Sequence, residues 1–148
     1  MRYRNHMLIN LSAALWLDAS LGNTGAIVLS SVFPDIVDHL TLSERNWWKG
    51  HRGISHFWLV YVVGCAILYI FIPPQLSGYL LYFTLGCLLH IFMDFLTPMG
   101  VPVFTLRERR SASLFKTGSI SETVFALSVF SLSVYLKGRV WLETQLRC

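Results

Sequence analysis

The chain alternates long apolar stretches with short polar ones. Residues 6–18 are apolar and helix-like, and Leu21-Gly22-Asn23-Thr24-Gly25 reads as a turn cluster after them. Residues 25–33 are apolar again and stop at Pro34, and residues 35–56 are polar. Residues 57–72 are almost wholly apolar, and Pro73-Pro74 with Ser77-Gly78 predicts a sharp turn. Residues 79–96 are apolar except for His90 and Asp94. Thr97-Pro98-Met99-Gly100 closes that segment, because proline cannot continue a helix. A second polar loop covers 101–118, the last apolar segment covers 121–136, and a short tail follows.

A membrane-spanning helix needs about 20 apolar residues. The segments at 57–72 and 79–96 reach that length with their flanks, and 121–136 sits at the lower limit. The pair at 6–18 and 25–33 predicts a short N-terminal helical hairpin, either of partial depth or built from two longer, tilted helices. The expected fold is all-α: an integral membrane bundle of four to five helices, in a single domain over residues 1–148. Composition agrees. The chain is 54% hydrophobic and 14% charged, with mean hydropathy +0.54, whereas a soluble domain carries about 25% charged residues. A net charge of +4 gives no case for nucleic acid. Cys65, Cys87 and Cys148 form no CxxC pair and are expected to be packing residues. His6 and Asn10 interrupt the early apolar run, so no cleavable leader is expected.

Threading these segments as antiparallel passes has a consequence for the ionisable residues. His6, the stretch from Asp35 to His56, the His90–Asp94 end of the fourth segment, and Glu122 all fall at one end of the bundle. The same end carries Arg2, Arg4, Arg45, Lys49, Arg52, Arg107, Arg109, Arg110 and Lys116, while the far turns carry no Lys or Arg; the tail holds Lys137, Arg139 and Arg147. The positive-inside rule therefore places this end in the cytoplasm. Trp47, Trp48 and Trp58 flank the polar loop as an interfacial belt would.

Histidines beside carboxylates, in a chain with only eight acidic residues, point to a metal site. His90 and Asp94 are spaced i, i+4 and share a helical face. Charged groups at membrane depth are costly, so they line cavities, pair, or bind something. His51 and His56 are five apart, with no Glu between them, which excludes a zincin helix. Asp35 and Asp38 could each ligate. His6 is either a ligand or an interfacial side chain, and His39 could be a ligand too, though Asp38 crowds it and Leu40 follows it. Glu122 closes Ser119-Ile120-Ser121-Glu122, a capping-box pattern that by itself accounts for its presence. The loop arginines set topology, with gripping a phosphate as a further role.

These blocks resemble the bacterial inner-membrane family of metal-dependent hydrolases typified by YdjM. The resemblance rests on His6, Pro34-Asp35 with Asp38-His39, Gly50-His51-Arg52-Gly53-Ile54-Ser55-His56, the run His90–Pro102, and Lys116-Thr117-Gly118-Ser119 leading to Glu122. The family pattern is Pro-Asp-Ile-Asp-His; here Val37 precedes Asp38, which leaves Asp35 and Asp38 both open as the ligand. Ser55 stands where threonine is common. The order of ligand types is also distantly similar to the zinc-dependent phospholipase C and P1 nuclease group, which implies a phosphoester substrate and a multi-zinc helical site. Together these imply a hydrolase of a lipid or lipid-linked phosphoester in the bacterial inner membrane. It would use one to three divalent ions, zinc above all, and metal-activated water. His6, Asp35, His51, His56, His90 and Asp94 are the expected ligands, and Asp38, Glu122 and Arg52 the expected acid–base and charge-stabilising residues. The other readings are a lipid amide or ester deacylase with the same site, and a non-enzymatic metal-binding or structural membrane protein.

Overall fold

The structure, a computed structural model, describes residues 1–41 and 52–146. Helix α1 spans Tyr3–Trp16, α2 Leu21–Ser30, and α3 Phe33–Thr41. A 3-10 turn, Ile54–His56, leads into α4, Trp58–Phe71, and α5 follows at Pro74–Phe95. Strands β1, Val101–Pro102, and β2, Arg109–Arg110, pair antiparallel, and α6 spans Ile120–Leu146. The architecture is mostly helical, with this one small hairpin departing from the all-α expectation.

Several boundaries differ from the sequence reading, each for a local reason. The glycine-rich stretch 21–25 is the first turn of α2, because the Ser20 hydroxyl accepts from the Asn23 amide and caps it. Pro34 does not end a helix; it lies in the first turn of α3, where its missing N–H costs nothing. Pro74 likewise begins α5, so Ser77 and Gly78 are helical. The last apolar segment continues beyond 136, through Lys137 and the Arg139–Glu143 pair at 2.9 Å, an i, i+4 contact that supports a solvated helix end.

Helix α2 packs mainly on α5, and α1 mainly on α6. The first contact needs Gly86. A Cβ there would stand 2.4 Å from the Ile27 carbonyl oxygen and 2.9 Å from Asn10 Nδ2. That closeness lets Asn10 donate to both the Ile27 carbonyl (2.7 Å) and the Gly86 carbonyl (3.2 Å), tying three helices together. On the other side Ile9, Met93, Leu96 and Ala126 form a buried apolar cluster, with Phe115 and Phe125 against it.

The polarity of the surface is inverted relative to a soluble protein. Helix α1 buries Asn5, His6, Asn10 and Ser12. Helix α3 buries Asp35 and Asp38 while Ile36 and Leu40 stay exposed. Helix α4 buries none of its residues and presents Val63, Ile67, Ile70 and Phe71 outward. Pro74–Phe95 and Ile120–Gln145 are long and apolar enough to cross a membrane. Apolar faces turned outward, with polar groups inside, suit a lipid surrounding.

Candidate metal centre

Three elements converge on one buried group. Helix α3 contributes Asp35, the 3-10 turn His56, and the last turns of α5 His90 and Asp94. One ligand atom from each lies within 4.8 Å of every other. His56 Nε2 is 3.2 Å from His90 Nε2, 3.3 Å from Asp35 Oδ1 and 3.4 Å from Asp94 Oδ2. His90 Nε2 is 3.6 Å from Asp94 Oδ2 and 3.7 Å from Asp35 Oδ1. Ligands about 2.0–2.1 Å from a tetrahedral ion stand roughly 3.3 Å apart. Five of the six separations, at 3.2–3.7 Å, lie near that figure, so these four residues could hold a metal ion.

The surrounding hydrogen bonds aim the ligand atoms. His90 Nδ1 faces the Ser31 carbonyl at 2.5 Å. A carbonyl only accepts, so Nδ1 carries the proton and Nε2 turns to the cluster. The Ser31 carbonyl is available because it lies at the C-terminal cap of α2. His56 Nδ1 faces Ser55 Oγ at 2.9 Å and Asp38 Oδ2 at 3.4 Å. Ser55 Oγ in turn donates to Asp38 Oδ1. Orienting partners of this kind behind a ligating histidine fix its tautomer. Of the two aspartates left open by the sequence, Asp35 therefore offers its oxygen to the cluster, and Asp38 stands behind His56.

Proton and metal are alternatives at His56 Nε2. Burial lowers the imidazole pKa, but Asp35, Asp38 and Asp94 outweigh burial and push it up to about 10. Burial acts to raise Asp35, yet His56 and His90 hold it well below the usual carboxylate range. The cluster is thus built around positive charge. Buried carboxylates on this scale need a cation or strong pairing.

Arg52 borders the group. Its backbone N–H donates to Asp38 Oδ2 at 2.7 Å, and its Nη1 donates to Thr97 Oγ1 at 2.8 Å. Its Nε lies 2.8 Å from Asp94 Oδ2, an ion pair without hydrogen-bond alignment. The residue is buried and left-handed, at φ 61°, which costs about 1–2 kcal/mol for a non-glycine. Those contacts hold it there. The Met1 amino group also donates to Asp94, on Oδ1 at 2.6 Å.

His6 stands beside the four and not among them. Its ring stacks on His90 at 3.9 Å, and its Nε2 is 3.4 Å from Asp94 Oδ1. Neither ring nitrogen makes an aligned hydrogen bond within the described residues. His39 is on the exposed side of α3. His51 lies outside the described residues, as do Trp47 and Trp48.

Glu122 has a different place. Its carboxylate accepts from Arg2 N at 2.8 Å, Asn5 Nδ2 at 2.5 Å and Gly118 N at 2.7 Å. Its own N–H reaches Ser119 Oγ at 3.3 Å, as in a capping box. The side chain, however, bonds to Gly118 and to the start of α1 in place of the Ser119 amide. Among the described residues its bonds lock α1 to α6. Glu122→Ala is expected to lower the melting temperature, because three donors lose their acceptor at about 1 kcal/mol or more each. Bound metal per protein should stay the same; differential scanning calorimetry beside elemental analysis checks both.

Asp38→Asn carries the opposite expectation. Removing an orienting carboxylate behind a ligating histidine costs about 10–100-fold in metal affinity. Competition with a chelator of known affinity measures that loss, with folding largely preserved.

Sequence reasoning missed Ser31, Ser55, Thr97 and Asn5. Ser55 sat inside the most distinctive block of the chain, and Thr97 was read only as a helix stop. Nothing in the pattern of residues marks Ser31 as the partner of His90.

A helical chain with outward apolar faces and an internal aspartate–histidine cluster at one end defines a membrane-protein class with a candidate metal centre. A family model described as YdjM inner membrane protein matches residues 1–145, and the chain belongs to that family. This supports an inner-membrane location. No curated protein and no solved structure matches the chain. The family description names a membrane and no reaction, so any chemistry rests on the site.

Proposed function

We propose that the protein is a metal-dependent hydrolase acting at the cytoplasmic face of the inner membrane, on a lipid or lipid-linked phosphoester. The observation that carries this reading is the gathering of one ligand atom each from Asp35, His56, His90 and Asp94 within 4.8 Å of one another; hydrolysis would need an ion there to keep a further position for water beside these residues. Two imidazoles with two carboxylates suit zinc, and also iron or manganese. A bound divalent ion supplies Lewis-acid activation of water at neutral pH.

The chain's own groups then have distinct tasks. Asp35, His56, His90 and Asp94 hold the ion, and Asp38 and Ser55 position His56. Arg52 puts a fixed guanidinium beside Asp94, where an anionic phosphoryl group would gain a charge-assisted bond. Asp35 is the most solvent-accessible of the four ligands, which puts it on the side from which a substrate would approach. Two helices long and apolar enough to cross a membrane, with the basic residues gathered towards the site end of the sequence pattern, support the cytoplasmic side. The buried arginine beside the carboxylate–histidine group supports an anionic substrate such as a phosphoester.

A second, non-enzymatic reading is favoured by the Arg52 Nε to Asp94 Oδ2 distance of 2.8 Å. The guanidinium already supplies one counter-charge, so the cluster could serve as a polar clamp between helices. The test is to incubate wild type and His90→Ala in nanodiscs with defined phospholipids and lipid phosphates, with and without added zinc, and to follow products by mass spectrometry. Release of phosphate or a phosphorylated headgroup, only by the metal-loaded wild type, is the expected result. Fatty-acid release would make it a deacylase. No product from any lipid, with metal bound, would leave the non-enzymatic reading.

A further inference from the structure

The hairpin beyond α5 combines three features that the metal centre does not use. Its tip exposes large apolar side chains, with Phe104 74% and Leu106 50% accessible. Arg107, Arg109 and Arg110 are exposed beside a single Glu108. The Arg110–Glu108 pair, at 3.5 Å with both partners more than half exposed, is screened and weak. The tip is also held in a definite place. Trp58, at the start of the outward-facing helix α4, donates its indole N–H to the Val103 carbonyl at 2.9 Å.

The base of the hairpin is fixed to α5 itself. The Ala112 and Leu114 amides donate to the Phe95 and Leu96 carbonyls, both at 2.8 Å. Gly100 makes the turn at φ 65°, where a Cβ would stand 2.4 Å from the Arg110 carbonyl oxygen. This is a conformation and a closeness that only glycine allows. The hairpin is therefore a rigid extension of the segment that carries His90 and Asp94, tied to the first residue of α4 through Trp58.

We propose that this hairpin is a membrane-surface anchor that recognises anionic phospholipid headgroups. Phe104 and Leu106 enter the headgroup layer beside Trp58, and the flanking arginines pair with lipid phosphates. An exposed aromatic and a leucine next to excess positive charge are poorly suited to bulk water and well suited to that boundary. Trp58 marks its depth, as indole side chains settle at the membrane–water interface. The occupant follows from the charge: the tip is cationic, so its partner is the anionic lipid fraction. The inference does not depend on catalysis at the metal centre.

The test uses the full chain with Cys65→Ala, Cys148→Ala and Phe104→Cys, spin-labelled at position 104, in nanodiscs of phosphatidylcholine alone or mixed with phosphatidylglycerol. Circular dichroism and a single size-exclusion peak establish that the variant is folded. In the mixed bilayer the label should be relaxed by oxygen and shielded from a water-soluble nickel reagent. Shielding should be lost in phosphatidylcholine alone and in Arg107→Ser/Arg110→Ser, with each arginine accounting for about a fivefold preference. A label open to nickel in both bilayers would overturn the proposal. Equal shielding in both would overturn it as well, since insertion would then owe nothing to anionic lipid.

Discussion

His56→Ala is expected to empty the metal centre. His56 stands 3.2, 3.3 and 3.4 Å from the other three ligand atoms, so it occupies the hub of the cluster. A four-ligand zinc site is worth about 10–16 kcal/mol, so one ligand carries roughly 3–4 kcal/mol, or several hundred-fold in affinity. Elemental analysis after dialysis against a weak chelator should find near-stoichiometric metal in the wild type and almost none in the variant. His6→Ala serves as the internal comparison. His6 stacks on His90 without joining the four, so its loss should weaken binding far less. Equal loss from both variants would mean that the site is organised around the His6–His90 stack and not around His56.

Gly86→Ala should produce the largest effect on folding. Its new Cβ would lie 2.4 Å from a backbone carbonyl oxygen, which cannot rotate away as a side chain can. Helix α2 would have to move off α5. Overpacking costs about 1–3 kcal/mol, and more where backbone must shift. Asn10 would lose its bonds to Ile27 and Gly86, and the Ser31 carbonyl that orients His90 would move as well. The expected outcome is a sharply lower melting temperature, with metal lost as a consequence. Gly25→Ala, where an added Cβ meets nothing within 4 Å, is the matched control and should leave stability nearly unchanged.

Which parts of this arrangement were legible in the sequence follows from physical scale. Residues 57–72 read as one apolar run and form α4 at Trp58–Phe71, because a long uninterrupted run leaves little choice of structure. The i, i+4 spacing of His90 and Asp94 does put both on the interior face of α5, where they are buried. Threading the passes also anticipated that Asp35, His56, His90 and Asp94 would share one end. Short-range turn chemistry was less legible. Pro34 and the glycines at 22 and 25 are breakers by type, but helical first turns tolerate them, and the Ser20 cap decides the matter. The separate parts of Asp35 and Asp38 could not be read from spacing alone. They depend on Ser55 and Arg52 reaching Asp38 across fourteen or more positions of chain. Glu122 is the reverse case: the capping pattern was correct, and its carboxylate is taken up by Arg2, Asn5 and Gly118.

The most direct test of the central claim is X-ray absorption at the edge of whatever metal co-purifies with the wild-type chain in nanodiscs. Four to five nitrogen or oxygen neighbours at about 2.0–2.2 Å, water among them, with the outer-shell scattering of two imidazoles, is the predicted spectrum for an ion at Asp35, His56, His90 and Asp94. A sulfur neighbour, a first shell with no imidazole scattering, or protein that retains no metal after reconstitution with zinc would contradict it.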